Sequence, residues 1–117
     1  MINQSIFSFT FLKGGVLIFL KESKFQAELI SELKQMFPEC FVLKNDAGYI
    51  QGIPDLTILY GEKWATLECK KSAKANIQPN QKYYVALLNS KGFSAFIFPE
   101  NKKKVLSDLY VYFMDAF

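Results

Sequence analysis

The 117-residue chain contains no histidine. Its 14 basic residues are all lysine, so arginine is absent as well. The first absence removes imidazole general bases, His-Glu-x-x-His sites and His-ligated zinc. The second leaves phosphate contacts to lysine, side-chain amides and backbone N–H groups, because bidentate guanidinium forks are excluded. Cysteine is scarce too: Cys40 and Cys69 are the only two, and they make no metal-ligand spacing. They read as free, buried thiols in a reducing, cytoplasmic setting. No repeat, linker or low-complexity tract interrupts the chain.

Half of the residues are apolar and 16% are aromatic, which places the chain among globular proteins and outside the disordered class. The length suits one domain with one core. A net charge of +3 permits nucleic acid as a partner without requiring it.

Residues 1–20 differ in character from the rest and read as an extension ahead of a single domain over 21–117. They lack the basic start and small-residue cleavage site of a signal peptide. Lys13-Gly14-Gly15 interrupts the apolar run, so it does not make a membrane span. The ordinary structural reading is a β-hairpin turning at Lys13–Gly15. A second reading keeps to the coding sequence: Lys-Gly-Gly-Val can be encoded by AAAGGAGGT, a bacterial ribosome-binding sequence. Translation would then start at Leu17, Ile18 or Leu20. A small membrane-associated protein led by these residues is the most distant of the functions considered.

From Glu22 to Phe37, Phe25, Leu29, Leu33 and Met36 recur at spacings of three and four, which predicts a helix stopped by Pro38. Its apolar stripe centres near the direction of Glu22, with Gln26 on the same side and Glu28 well off it. Either Glu22 belongs to a fraying end or it reaches a buried cation. Cys40–Lys44 reads as a short strand and Asn45–Ile53 as a loop. A helix begins near Pro79 and ends at Gly92, burying Tyr84, Val85 and Leu88 and turning Gln81 inward. Gly92–Phe98 reads as a strand. Asn101 is placed to cap a last helix running to about Ala116, packed by Val105, Leu106, Leu109 and Phe113. The whole is an α/β domain with a small mixed sheet flanked by helices.

Between these elements lies the stretch GIPDLTILYGEKWATLECKK, residues 52–71. Asp55–Tyr60 and Lys63–Lys70 read as strands around a two-residue Gly61-Glu62 turn. That turn pairs Tyr60 with Lys63, and the register carried along sets Asp55 opposite Glu68 on one face, with Lys70 two residues further on. Adjacent carboxylates repel and call for a cation. Oxygen donors without histidine or thiolate favour magnesium (Mg²⁺), with Mn²⁺ as its substitute. Cys69 turns its side chain to the other face, leaving its backbone carbonyl as a further ligand. The bland alternative is an exposed sheet face carrying a surface ion pair of little worth.

Gly52-Ile53-Pro54-Asp55, twelve intervening residues and then Glu68-Cys69-Lys70 resemble the motif of the PD-(D/E)xK nucleases. The fuller pattern resembles the small stand-alone VRR-NUC branch of that superfamily, known from phages and bacteria. Glu22 followed by Phe25-Gln26, the Gly52–Leu56 motif, Glu68-Cys69-Lys70, Gln78-Pro79-Asn80-Gln81 and Lys91-Gly92-Phe93 occur in the branch's order, covering Glu22 to about Phe98. The chain departs from the pattern after Gly92, where the Val-Arg-Arg that names the branch is missing, and residues 1–20 have no counterpart.

The resemblance implies a restriction-endonuclease-like αβββαβ core with a C-terminal helix added. It implies Mg²⁺-dependent endonuclease activity on DNA, in small homodimers that cut branched substrates such as four-way junctions. Asp55, Glu68, Lys70, Gln81 and Glu22 become the catalytic set, with Glu28 as the competitor of Glu22. Glu22, Asp55, Glu68 and the Cys69 carbonyl become the metal ligands. Lys44, Lys71, Lys74 and Lys82 are the candidate DNA contacts, and Lys102–Lys104 face solvent or a polyanion. Tyr110, Tyr112, Phe113 and Phe117 offer more apolar surface than one small domain needs, which points to the last helix as a dimer contact. The alternative function is a catalytically silent DNA-binding or interaction module on the same fold.

Overall fold

The computed structural model describes residues 14–115. Three helices and four strands follow one another as α1 (Gly14–Met36), β1 (Phe41–Lys44), β2 (Leu56–Tyr60), β3 (Lys63–Cys69), α2 (Pro79–Lys91), β4 (Phe93–Ile97) and α3 (Lys102–Met114). The sheet has the order β1-β2-β3-β4, with antiparallel pairing through β3 and a parallel β3–β4 pair. The parallel pair needs a crossover, and α2 supplies it. The expected α/β class and mixed sheet are therefore present.

Alternation along the hairpin gives the sheet two unlike faces. Leu56, Ile58, Ala65, Leu67 and Cys69 point to one side and are fully buried. There they meet Phe25, Leu29, Leu33 and Phe37 from α1 and its end, and Leu106, Leu109 and Phe113 from α3. Phe37 is the hinge of this core, with ring centroids 5.3 Å from Tyr60 and 5.0 Å from Phe113. On the other side stand Thr57, Trp64, Thr66 and Glu68, with α2 packed over β3 and β4. Gly61 adopts φ +61°, the conformation that a tight hairpin turn demands in its first position.

Several expectations change. α1 starts at Gly14, so residues 14–20 are helical and the hairpin turning at Lys13–Gly15 does not form; residues 1–13 lie outside the described residues. Glu22 sits well inside the helix, which removes the fraying-end explanation. Phe37, just past the helix, is fully buried in place of Met36, which is half-buried. Cys69 is buried as expected, but Cys40 is only half-buried.

Asn101 precedes α3 without capping it by its side chain. Its amide turns back to the end of β4, accepting from the Phe98 N–H at 2.9 Å and donating to the Phe96 carbonyl at 3.0 Å. The backbone of β4 holds a better pair of partners than the helix start offers. Phe113 is buried, and Tyr112 is half-buried with its hydroxyl on the Trp64 carbonyl. These two rings belong to the interior, and Phe117 and the expected end at Ala116 lie outside the described residues. No described helix is long and apolar enough to cross a membrane.

Leu29 is fully enclosed between α1 and the sheet. Leu29→Ala is expected to lower unfolding stability by about 2–5 kcal/mol, read by urea denaturation, through lost burial and the cavity left behind.

Candidate active site

The observed pairing of Tyr60 with Lys63 and Leu56 with Leu67 reproduces the predicted register. Asp55 stands one residue before β2, opposite Glu68 of β3, and the two are interlocked through the backbone. The Asp55 N–H donates to Glu68 Oε1 at 3.1 Å, and the Cys69 N–H donates to Asp55 Oδ2 at 2.9 Å. Lys70 follows β3, with its N–H held by the Ile97 carbonyl at 2.9 Å. Its backbone is thus tied to the end of β4.

Gln81 enters from the first turn of α2, behind Pro79. Its Oε1 accepts from Lys70 Nζ at 2.7 Å and from the Gln78 N–H at 3.0 Å, and its Nε2 donates to Glu68 Oε2 at 3.0 Å. A neutral amide therefore bridges an ammonium and a carboxylate that stand 3.6 Å apart. This satisfies the inward glutamine with partners of both polarities.

Glu22 lines a cavity of about 310 Å³ together with Asp55, Glu68, Lys70 and Gln81, and Gln26 and Ser23 of α1 complete its wall. Glu28 is exposed. The competition in the first helix is decided for Glu22 as the residue that reaches this cavity. A second cavity of about 350 Å³ carries Glu22 and Lys70 on to Lys71 and Lys74. Lys44 and Lys82 are exposed elsewhere, Lys44 at the end of β1 and Lys82 on α2. Lys102 pairs with Glu32 and Lys104 with Asp108, each at 2.9 Å, so those two amines already have acidic partners.

Burial is the main electrostatic fact of the cavity. It raises the Glu68 pKa to about 7, helped by the charge of Asp55 and opposed by Lys70. Asp55 is also raised by burial, against the pull of the Cys69 N–H and Lys70. Glu22 is raised by burial and then by Asp55. The Cys69 thiol is pushed far up, first by burial and then by Asp55 and Glu68, which leaves it inert.

Three carboxyls line one polar cavity, and carboxylate oxygens are the donors that a hard divalent cation takes. Asp55 and Glu68 form the adjacent pair, and Glu22 faces the same space. Among the described residues no three His, Cys, Asp or Glu side chains form a ready-made ligand cluster. Glu68 is instead engaged by Gln81, Lys70 and the Asp55 N–H.

Asn45 is the residue that sequence reasoning passed over. Its N–H donates to the Asp55 carbonyl at 2.8 Å, and its Nδ2 donates to the Pro54 carbonyl and to Thr57 Oγ1. It clamps both sides of the proline-aspartate step, and its only signal was an amide at a strand end. Gly52 locks the same loop to α2: it has φ +93°, and a Cβ there would lie 2.4 Å from that of Asn80. Only glycine allows this approach, which sets Asp55 and Gln81 relative to each other.

No family model matches the chain, and comparison with curated proteins and with solved structures gives no significant match.

The raised Glu68 pKa has a signed consequence. The folded protein retains a proton that the unfolded chain releases near pH 4.5, so folding loses stability as the pH rises from there through about 7. Glu68→Gln removes this term. Between pH 4 and pH 8 its stability relative to the parent is expected to improve by roughly 3 kcal/mol, measured by urea denaturation at both pH values.

Proposed function

We propose that this protein is a metal-dependent endonuclease that hydrolyses DNA phosphodiester bonds, of the PD-(D/E)xK kind, with branched DNA such as a four-way junction as its substrate. The observation that carries this reading is the meeting of Glu22, Asp55, Glu68, Lys70 and Gln81, drawn from α1, the hairpin and α2, around one polar cavity. An acid–acid–lysine set enclosed in this way has no evident role in holding the fold, since its carboxyls are made harder to ionise by being there.

In this reading Asp55, Glu68, Glu22 and the Cys69 carbonyl hold Mg²⁺ or Mn²⁺. The ion would supply a nucleophile at neutral pH and offset charge on the scissile phosphate. Lys70, steadied by Gln81, orients the attacking water and balances the charge that builds on the phosphate oxygens as the new bond to phosphorus forms. Gln81 keeps Lys70 from collapsing fully onto Glu68. Lys71 and Lys74 extend the positive rim along the path of the strand.

A second reading, a catalytically silent DNA-binding module, is favoured by one observation: the Glu68 carboxylate is already satisfied by three neighbours.

One assay separates the two. Labelled four-way junction, flap, single-stranded and linear duplex DNA are incubated with Mg²⁺ or with chelator. The nuclease reading expects paired cuts in the junction with Mg²⁺ only. Asp55→Asn and Lys70→Ala are each expected to slow cleavage about a hundredfold or more at unchanged binding. Unchanged cleavage in either variant excludes this centre. Lys71→Ala with Lys74→Ala is expected to weaken binding and flatten its salt dependence while sparing the rate at saturation.

Homodimerisation belongs to the same proposal, because two symmetric cuts need two centres related by a two-fold axis. Tyr110, Val111 and Met114 of α3 are exposed and available to such a contact. Light scattering at micromolar concentration is expected to give twice the chain mass, and a monomer would remove this element.

A further inference from the structure

The sheet face that bears Glu68 carries another cavity, of about 330 Å³, between the β1–β2 loop, the hairpin and α2. Its walls are apolar: Tyr49, Ile50 and Ile53 from the loop, Trp64 from β3 and Leu88 from α2. Its floor includes Thr57 and Thr66, which are direct partners across the hairpin. That pair is two residues along the strands from Asp55 and Glu68, roughly 7 Å away. One unstacked nucleotide spans that reach.

Three features define what the cavity would accept. The Trp64 ring is pinned against Gly92, where a Cβ would come within 2.8 Å of it, so the ring is a fixed wall. Tyr49 is 86% exposed and adds nothing to the core, yet it stands at the rim. Asp46 also lines the space; its Oδ1 is held by the Gly48 N–H at 2.8 Å, and Oδ2 has no partner among the described residues. A carboxylate oxygen only accepts hydrogen bonds. Aromatic walls and an acceptor at the edge suit a flat ring bearing N–H groups. The volume lies at the low end for small-ligand sites and has room for a single base.

We propose that this cavity takes one unpaired nucleobase, from the strand whose phosphate lies at Asp55 and Glu68. The position of that phosphate rests on the nuclease reading above. A base inside a duplex cannot enter such a cavity without leaving its stack. The substrate must therefore present an unpaired nucleotide beside the cut, as strands do at junction points, flaps and single-stranded segments.

Trp64 is the sole tryptophan of the chain, so its fluorescence reports this cavity directly. The experiment titrates the full-length protein with a short single-stranded oligonucleotide in chelator, following Trp64 emission and the anisotropy of an end label together. The expected result is binding accompanied by quenching. Tyr49→Ala is expected to weaken that binding about tenfold and to leave the affinity for blunt duplex unchanged. An oligonucleotide that fails to bind, or binds without quenching, overturns the proposal, as does a Tyr49→Ala variant with parental affinity.

These readouts need no catalysis, so the two proposals fail separately. Quenching without cleavage of any DNA in Mg²⁺ would keep the cavity and remove the nuclease. Cleavage that depends on Asp55 without quenching would do the reverse.

Discussion

Two carboxylates held side by side at the end of a hairpin, one buried and one half-buried, set the terms for everything around them. Asp55 and Glu68 are locked by each other's backbone, through the Asp55 N–H on Glu68 and the Cys69 N–H on Asp55. Neither can swing away to relieve the repulsion. The surroundings offset it in the ways open to a chain with no arginine and no histidine. Lys70 brings one ammonium, Gln81 brings an amide that serves both charges, and peptide N–H groups complete the set. Burial, joined at Glu68 by the charge of Asp55, still holds both carboxyl groups above their ordinary range. A folded protein that tolerates this gives up stability at neutral pH, and such perturbed groups gather at functional sites.

Rigidity is supplied from outside the hairpin. Gly52 lets the loop before Asp55 touch Asn80, one residue from Gln81, and Asn45 ties the same loop to Thr57. The acidic pair and the glutamine thus belong to one braced unit. Glu22 comes from a separate layer, since α1 is anchored by Phe25, Leu29 and Leu33 on the opposite face of the sheet. It reaches the cavity past the end of β3.

The hairpin was the most legible part of the sequence. A two-residue turn and period-2 alternation leave one register, and that register sets Asp55 against Glu68 without knowledge of the rest. The buried stripes of α1 and α3 were legible for the same reason, since repeats of three and four define one face. Three things were not. Gly14-Gly15 has the chemistry of a turn, and nothing local reveals that these two residues belong to the helix. Asn101 has the chemistry of a cap, but tertiary partners on β4 outcompete the helix start. The role of Asn45 depends on which carbonyls lie near it in space, and no spacing along the chain encodes that. The cavity by Trp64 was hidden likewise, because it forms only where a loop, a sheet face and a helix meet.

The parallel pairing of β3 with β4 has a consequence for the order of assembly. The β2–β3 hairpin closes over two residues and joins Asp55 to Glu68 by local contacts alone. β4 can pair only after the chain from Lys70 through α2 has looped back, and such non-local pairings form slowly. Lys70 and Gln81 find their places through that second event, by way of the Ile97 carbonyl and the packing of α2. The Gln81 bridge between Lys70 and Glu68 therefore depends on the non-local half of the sheet. The hairpin alone carries Asp55, Glu68 and Lys70, and closure of the crossover brings the amide that bridges the last two. Assembly of the parallel pair is therefore also what completes the polar network around the acidic pair.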